Sequence, residues 1–370
     1  MNRIAIPILS VFTLLSVGNI ANATMPSFQG LGSYGNAIPL PHNISADGNV
    51  IIGWPQSTNS APRPFAWCYG LWHPIDASFA PDISFYPEGV SADGSVIVGH
   101  GHDTSTDYWG AYRLADGGIT PLEVPGFDFA VANDVNGDGT IIVGYASRSA
   151  PISEKRAVRW DNGVPSLLPI GSHGTIPHEA RAISTDGSTI VGDAIVPGIA
   201  SQAFRWSSGD GVVPFRTTQP EYEESHAWGV SASGEYVVGV DEFAAGFGYT
   251  SFRWGPDEVI DMGIAPFAAQ DVSADGSIIV GGTYLWQGGI GLRFLQEFLM
   301  TDYGLDTSGW TNLAAGSISD NGMVIVGSGT NPNGVLEGWI ATIPEPASLI
   351  LVLVGAAFTG LKRQRSEGIE

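Results

Sequence analysis

Cysteine is nearly absent from this 370-residue chain, which contains only Cys68. A disulfide framework needs at least two cysteines, and a zinc site built on cysteine needs several, so both are excluded. The segment around Cys68 reads PFAWCYG, which is apolar and typical of a strand. A buried thiol without a chemical role is therefore predicted, and a reactive thiol is the alternative.

Basic residues are also scarce, because 15 Lys and Arg stand against 37 Asp and Glu, a net charge of −22. Proteins that bind nucleic acid need clustered positive charge to neutralise phosphates, so nucleic acid is excluded as a partner. An acidic surface is typical of a protein that stays soluble in an open or salty environment. Weak association with cations is the second reading of this charge.

Catalytic signatures are missing as well. The chain has no G-x-S-x-G elbow, no H-E-x-x-H helix and no glycine-rich phosphate loop. We therefore predict that the protein is not an enzyme and that it carries no cofactor and no metal site. What the sequence does contain is 44% apolar residues, 50 glycines and 24 prolines, spread evenly along the chain. This composition indicates many turns and short strands, hence an all-β protein.

The N-terminal segment 1–23 has the features of a signal peptide. Arg3 precedes a short apolar run, and the segment ends in Ala21-Asn22-Ala23, which fits the small-residue rule for signal peptidase. Cleavage after Ala23 is predicted, with export of the mature chain from residue 24.

The C-terminal segment 344–370 contains three parts in a fixed order. Pro344-Glu345-Pro346 resists helix formation and stays extended, and residues 347–361 carry no charge and span about 22 Å as a helix. Lys362, Arg363 and Arg365 follow, and the positive-inside rule places them in the cytoplasm. A single transmembrane helix over 347–361 is predicted, which leaves the rest of the chain outside.

This order closely resembles the PEP-CTERM sorting signal of exopolysaccharide-forming bacteria. The resemblance implies that an exosortase recognises Pro344, Glu345 and Pro346 and processes the tail at the inner membrane. The protein would then be released or fixed at the cell surface. A plain C-terminal anchor that is never cut is the alternative.

Between these ends one element recurs seven times, as in ISADGNVIIG (44–53), VSADGSVIVG (90–99) and VSADGSIIVG (272–281). Its closing glycines are spaced by 42 to 48 residues, at Gly53, Gly99, Gly144, Gly192, Gly239, Gly281 and Gly327. A second element such as AFRW or SFRW follows, and in most repeats a third such as ITPLEVPG. The Asp-Gly pairs predict type I′ hairpin turns, and each repeat accommodates four short strands.

Seven repeats of four strands predict a seven-bladed β-propeller over residues 24–343. The last repeat stops at GWIATIP without a fourth strand, and FQGLG (28–32) reads as an isolated fourth strand. Its pairing into the last blade would close the ring and leave no open edge. The repeats also resemble the HAF family of bacterial extracellular repeats, which is not tied to one reaction. A short amphipathic helix is predicted within 294–310.

Several recurring residues have a structural reading and a functional one. The segment DVNGDGTII (134–142) opens like a calcium loop but lacks the closing glutamate, so a hairpin turn is favoured over calcium. The segment HGHD (100–103) offers two imidazoles, although Gly101 favours a loop. Two recurring sets of side chains, one of arginines and one of tryptophans, are assigned to packing. We expect each arginine to pack its aliphatic stem beside the Trp of its own blade and to contact an Asp of a neighbouring turn. They are Arg113, Arg159, Arg205, Arg253 and Arg293, and Trp67, Trp160, Trp206 and Trp254.

A ligand site is predicted on the face opposite the Asp-Gly turns, where the connecting segments are long and unlike one another. These segments are DISFYP (82–87), PGFDFA (125–130), GSHGTIPHE (171–179) and QPEYEESHAW (219–228). The candidate ligand-binding residues on them are Phe127, Phe129, His173, His178, Tyr222, Glu223, Glu224 and His226. Solvated acidic loops are the plainer reading of the same segments.

The sequence thus predicts an exported, surface-sorted propeller that acts as an adhesion, scaffold or ligand-binding module, with exopolysaccharide or another matrix polymer as the candidate partner. The alternative is a secreted carbohydrate-active enzyme that uses carboxylates on these loops.

Overall fold

The structure of the protein is a computed structural model. It describes residues 25–33, 38–56, 64–68, 70–75, 82–150, 153–198, 201–215, 222–243, 248–256, 258–263 and 267–344. The chain forms seven four-stranded antiparallel sheets, each built from four strands that are consecutive in sequence or, in one sheet, joined by the N-terminal strand. The predicted seven-bladed propeller is confirmed.

Each blade has an inner strand beside the central axis and three further strands toward the rim. The inner strands are β2 (Ile38–Ile44), β6 (Ile83–Val90), β10 (Phe129–Val135), β14 (Ile176–Ile183), β18 (Tyr222–Val230), β22 (Asp271–Val272) and β26 (Thr311–Ile318). The second strands are β3 (Val50–Gln56), β7 (Ile97–Asp103), β11 (Ile141–Arg148), β15 (Thr189–Ile195), β19 (Val237–Phe243), β23 (Ile278–Gly281) and β27 (Val324–Thr330).

The third strands are β4 (Phe65–Cys68), β8 (Tyr108–Ala115), β12 (Glu154–Asp161), β16 (Ser201–Ser207), β20 (Tyr249–Trp254), β24 (Tyr284–Gln287) and β28 (Leu336–Thr342). The outer strands are β5 (Leu71–Pro74), β9 (Gly118–Leu122), β13 (Val164–Leu167), β17 (Gly211–Pro214), β21 (Val259–Asp261), β25 (Gly291–Phe294) and, in the seventh blade, β1 (Ser27–Gly30). The predicted closing strand is therefore confirmed, because β1 pairs with β28 from Ser27 opposite Thr342 to Gly30 opposite Trp339.

The repeated Ser-x-Asp-Gly segment forms the turn between the inner and second strands. In the first blade the amide of Gly48 donates to the carbonyl of Ser45, which closes a turn with Ala46 and Asp47 in its centre. Gly48 has a φ of +77°, whereas Asp47 is not among the residues of positive φ. The predicted type I′ turn is therefore wrong, since it needs a positive φ at both central positions.

The serine and aspartate of this turn hold it together by side-chain bonds. The hydroxyl of Ser45 donates to Asp47 Oδ1 at 2.6 Å and accepts from the amide of Val50 at 2.9 Å. Asp47 Oδ1 also accepts from the amide of Asn49. Because these bonds satisfy groups at the end of the strand, the motif recurs as a structural unit. We call the side of the propeller that carries these turns the turn face and the opposite side the loop face.

Apolar side chains of the second strands pack against the blades on both sides. Ile52 packs with Phe85 of the second blade, whereas Ile51 packs with Val326 of the seventh blade. A strand that is buried on both faces has no polar alternation, which explains the continuous VIV runs. Cys68 is buried and unpaired, and burial raises the pKa of its thiol, as the predicted unreactive role requires.

The recurring arginines join neighbouring blades, so their structural assignment is confirmed for those in contact. The guanidinium carbon of Arg159 lies 5.4 Å from the ring centre of Trp206, and that of Arg205 lies 5.7 Å from Trp254. Each ring belongs to the following blade, not to the arginine's own blade as expected. The acidic partner of Arg159 is Asp161 of its own strand, not an aspartate of a neighbouring turn.

The predicted helix is confirmed as α1 (Leu295–Tyr303), which buries Leu295, Phe298 and Leu299 and ends at Gly304 in the left-handed conformation. The predicted signal peptide (1–23, cleavage at Ala21-Asn22-Ala23) lies outside the described residues. So do the helix over 347–361 and all of the sorting motif except Pro344. Within the described ranges, no helix is long and apolar enough to cross a membrane.

Candidate functional site: the axial cavity and its rim

A cavity of about 550 Å³ lies on the propeller axis and is lined by the inner strands of all seven blades. At the turn face it is narrow, because the hydroxyl of Thr185 in the fourth blade donates to Asp320 Oδ2 in the seventh at 2.6 Å. Backbone bonds from turn to turn, such as Ala92 N to Gly137 O and Gly137 N to Thr185 O, run around the same end. Side chains of opposite blades therefore meet across the axis at the turn face.

A β-bulge recurs in the inner strands three residues before the turn serine or its equivalent. The register of β2 skips His42, that of β6 skips Glu88 and that of β10 skips Asn133. The same shift skips Arg181 in β14, Trp228 in β18 and Gly316 in β26, and Gln270 occupies the equivalent position just before β22. A bulge re-aims the unpaired residue, and all seven of these residues line the cavity. We call them the bulge ring.

The closing glycine of each repeat accommodates this bulge. A Cβ atom at Gly99 would overlap the carbonyl oxygen of Tyr86, and one at Gly144 would overlap that of Val131. The inner strand approaches the second strand so closely there that only glycine fits. The last letter of the VIVG motif is thus the sequence mark of the bulge ring.

Two aspartates follow the bulge ring toward the turn face and connect neighbouring blades. Asp134 accepts bonds from the amides of Val135 and Ile183, and burial raises the pKa of Asp134 to about 7. Asp271 accepts from the amide of Ile318 and from Ser317 Oγ, and burial raises the pKa of Asp271 to about 6. Since both oxygens of Asp134 already accept backbone bonds, its contacts favour the hairpin reading of 134–142 over the calcium loop.

Glu88 of the bulge ring lies between two imidazoles. Its carboxylate oxygens are 3.0 Å from His42 Nε2 and 3.3 Å from His100 Nδ1. Burial alone would raise the pKa of Glu88, but the bonds from His100 and His42 outweigh burial and lower it. This carboxylate therefore stays ionised.

The segment HGHD (100–103) lies within β7, so the expectation of a loop at Gly101 is wrong. His100 and His102 face the same side, where the ring of His102 stacks on Trp109 at 4.7 Å and that of His100 stacks on Tyr86 at 5.1 Å. Besides this packing, His100 contacts Glu88 and His102 Nε2 lies 2.9 Å from Asp107 Oδ1, so both imidazoles have partners. Trp109 is 41% exposed at the edge of the stack.

A second ionic cluster surrounds Asp193, which is only 2% exposed. Asp193 Oδ2 accepts from Arg181 Nε at 2.8 Å and from its terminal nitrogen at 2.6 Å, while Oδ1 lies 3.2 Å from His226 Nδ1. On the other side, Glu179 accepts from Lys155 Nζ at 2.6 Å. Burial alone would raise the pKa of Asp193, but His226 and Arg181 outweigh burial and lower it. The nearby carboxylate of Asp193 in turn raises the pKa of His226.

Three of the eight predicted ligand-binding residues meet in this cluster. His178 offers a ring nitrogen within 4.8 Å of Glu179 and Asp193, and burial lowers the pKa of His178. His226 Nε2 lies 3.7 Å from Glu224 Oε2. These residues belong to strands, so the predicted loops at 219–228 and 82–87 are mostly inner strand, and the segment 171–179 becomes inner strand from Ile176.

The other five predicted residues do not join the cluster. Phe127 stacks under Arg148, and Phe129 lies 6.0 Å from the ring of Tyr145. His173 is exposed in the short 3-10 turn Ser172–Gly174, Glu223 is exposed, and Tyr222 begins β18.

Three charged residues that are central to the site were not predicted from the sequence. Glu88, Arg181 and Asp193 were not among the candidates, although Asp193 interrupts an otherwise apolar strand directly after Gly192. A buried carboxylate in a position where no sister repeat carries an acidic residue is a usable signal. A second usable signal is the residue three positions before each turn serine or its equivalent, because it varies from repeat to repeat.

Comparison with known proteins supports the fold. No protein-family model matches the chain, and no curated protein matches it in sequence. Among solved structures, an oligogalacturonate lyase from Vibrio parahaemolyticus is 12% identical, with 87% of this chain and 98% of that chain covered and a TM-score of 0.54. An oligogalacturonate lyase in complex with manganese is also 12% identical, with 86% and 93% covered and a TM-score of 0.57.

The β-propeller domain of the Trilobed protease from Pyrococcus furiosus is 9% identical, with 82% and 95% covered and a TM-score of 0.52. That domain is described as having an open velcro topology, whereas β1 closes the last blade here. At such identities the likeness establishes the propeller and says nothing of the activity.

Proposed function

We propose that the protein is an exported, non-enzymatic ligand-binding propeller whose axial cavity receives a polar, hydroxyl-rich ligand. The observation that carries the proposal is the bulge ring. The same β-bulge places seven residues at a single cavity. Six of them carry side chains of different chemistry, namely an imidazole, a carboxylate, two amides, a guanidinium and an indole, and the seventh is glycine. Variable side chains on a constant scaffold are typical of recognition rather than of packing.

The chemistry of the ring favours a saccharide. Amide, guanidinium and carboxylate groups donate and accept hydrogen bonds to hydroxyls, and the indole of Trp228 offers an apolar surface for a sugar face. A volume of about 550 Å³ lies within the range of small-molecule sites. Because the turn face is narrowed by Thr185 and Asp320, the end of a polysaccharide chain suits the cavity better than a segment from its middle.

Secretion and sorting complete the proposal. The signal peptide at 1–23 and the PEP-CTERM-like tail at 344–370 support export through the inner membrane and processing by an exosortase, with the mature form at the cell surface or in the extracellular matrix. There the secreted exopolysaccharide is the natural ligand class. Mass spectrometry of the mature C-terminus, with and without the exosortase, tests the sorting part separately. An uncut tail in both strains would contradict it.

The binding part is tested on the full-length chain by titration calorimetry with oligosaccharides from the matrix polymer. We expect Trp228→Ala and Gln270→Ala to weaken binding at least tenfold, since both side chains line the cavity. Trp109→Ala is the matched control, because this exposed indole lies outside the cavity and should leave the affinity unchanged. Equal losses of affinity in all three variants, or a loss in Trp109→Ala alone, would show that the binding site does not lie on the axis.

The alternative function is a carbohydrate-active enzyme. Glu179 and Asp193 offer carboxylate oxygens within 4.8 Å of each other, which is near the spacing of the two catalytic carboxylates of retaining glycosidases. Release of new reducing ends from the matrix polymer, abolished in Glu179→Gln, would establish this alternative. Binding without cleavage supports the non-enzymatic module.

A further inference from the structure

We propose that Glu224, His226 and Glu242 bind one divalent transition-metal cation at the rim of the interface between the fourth and fifth blades. Asp193 acts there as the outer partner that orients the imidazole. This site lies beside the axial cavity and does not depend on the saccharide proposed above.

The strand pairing places the three side chains together. Glu224 of β18 is directly opposite Glu242 of β19, and His226 follows two residues later on the same side of β18. His226 Nε2 lies 3.7 Å from Glu224 Oε2 and 3.8 Å from Glu242 Oε1. One ligand atom from each residue falls within a sphere of 4.8 Å, so small rotations of the two exposed carboxylates bring all three atoms around one ion.

The charges of the pair call for a counter-ion. Like charges directly opposite each other on antiparallel strands destabilise the sheet. Among the residues that the structure describes, no lysine or arginine lies within ion-pair distance of Glu224 or Glu242. Arg181, the basic residue of the adjoining cluster, is bound to Asp193 and Glu179 instead. A cation between the two carboxylates would relieve this repulsion.

The third observation is the buried carboxylate behind the imidazole. Asp193 Oδ1 lies 3.2 Å from His226 Nδ1, and Arg181 holds the other oxygen of Asp193 in place. Neither Asp193 Oδ1 nor His226 Nδ1, both of them buried, makes a hydrogen bond within the described part of the chain. A carboxylate this close to Nδ1 favours the proton on that nitrogen, which leaves the lone pair of Nε2 to face Glu224 and Glu242. This carboxylate–histidine arrangement is the usual support of a metal-binding histidine.

The ligand set selects the kind of ion. One imidazole nitrogen and two carboxylate oxygens suit Zn²⁺ or Mn²⁺, whereas Ca²⁺ prefers oxygen ligands alone. A metal binds the neutral imidazole, so a proton on Nε2 competes with the metal. Affinity should therefore increase with pH.

Titration calorimetry with Zn²⁺ at pH 7.5, on the full-length chain without a histidine tag and after dialysis against EDTA, tests the proposal. We expect one Zn²⁺ per chain and a rise in melting temperature that EDTA reverses. His226→Gln and Glu242→Gln should weaken binding at least tenfold, and Asp193→Asn by about 10- to 100-fold. Glu258→Gln is the matched control, because this glutamate of the same blade is 63% exposed and forms an ion pair with Arg253.

The experiment gives a clear result even if His226→Gln folds poorly. Glu242 is exposed enough for Glu242→Gln to be tolerated by the fold. Equal affinity in the wild-type chain and in Glu242→Gln would place any bound Zn²⁺ elsewhere and overturn the proposal. The same holds if the wild-type chain binds no Zn²⁺ at pH 7.5. Protonated His226 would then itself be the counter-ion of the two glutamates.

Discussion

The ionic cluster at Asp193 makes a quantitative prediction about stability. In Asp193→Asn the shape of the side chain is kept while its charge is removed, so Arg181 and His226 lose a shared counter-ion. Removal of one partner from a fully buried pair costs about 3–5 kcal/mol. Arg181 is 33% exposed and recovers part of its hydration, so we expect a loss of about 2–3 kcal/mol in the free energy of unfolding.

Urea denaturation at pH 6 measures this loss. Asp210→Asn is the control, because Asp210 is 64% exposed in its pair with Arg205 and should contribute less than about 0.5 kcal/mol. A loss in Asp193→Asn no larger than in Asp210→Asn would refute the reasoning. It would mean that water reaches the cluster as readily as it reaches the surface.

The pH dependence of the difference has a defined sign. The folded-state pKa of Asp193 is lowered, so its stabilisation is present above the unfolded pKa of about 4 and is lost as the pH falls through the folded value. The folded-state pKa of His226 is raised, so its share is present below about 6.5 and is lost as the pH rises through the folded value. The difference in free energy of unfolding between the wild-type chain and Asp193→Asn should therefore be largest at pH 5–6 and should shrink at lower and at higher pH. In Asp193→Asn, NMR titration should show a lower pKa for His226.

Two further predictions concern ring closure and the axis. Phe28 lies 5.3 Å from the ring of Trp310 and 5.7 Å from that of Trp339, so Phe28→Ala should cost about 2–3 kcal/mol in thermal unfolding, and Gln29→Ala on the same strand almost nothing. Equal effects would show that β1 does not close the ring. The pKa of Asp134 is raised to about 7, so the folded protein holds this proton over a range where the unfolded chain does not. Between pH 5 and 7 the stability of the wild-type chain relative to Asp134→Asn should therefore fall by about 1.4 kcal/mol per unit of rising pH, and a flat or rising difference would contradict this.

The blade count and the closing strand could be predicted because both depend on local patterns. Seven recurrences of an apolar strand after a turn that ends in glycine, with Asp before the glycine in five of them, define the repeat, and a lone FQGLG strand at one end fits the missing strand at the other. The bulge could not be derived in the same way. Strand alternation and turn residues do not show where a register shift falls, and only the overlap at Gly99 or Gly144 reveals it.

The candidate site was harder to predict because its contacts run between blades. His226 and Glu224 were expected at a ligand site and do lie together, but their partner Asp193 comes from a different blade. Nothing local in the sequence pairs Glu88 with His42 of the preceding repeat. HGHD was expected as a loop because glycine disfavours strands, whereas packing on Tyr86 and Trp109 keeps it extended.

The pairing of β1 with β28 has a mechanical consequence. The last strand of the propeller is hydrogen-bonded on one side to β27 and on the other to β1, and the chain continues from it into Ile343 and Pro344. Tension applied to the chain beyond Pro344 would act on β28 first, and this strand could separate only by breaking the hydrogen bonds to both neighbours at once. The pairing of the two ends of the propeller would thus resist such a force before any blade around the cavity is pulled apart.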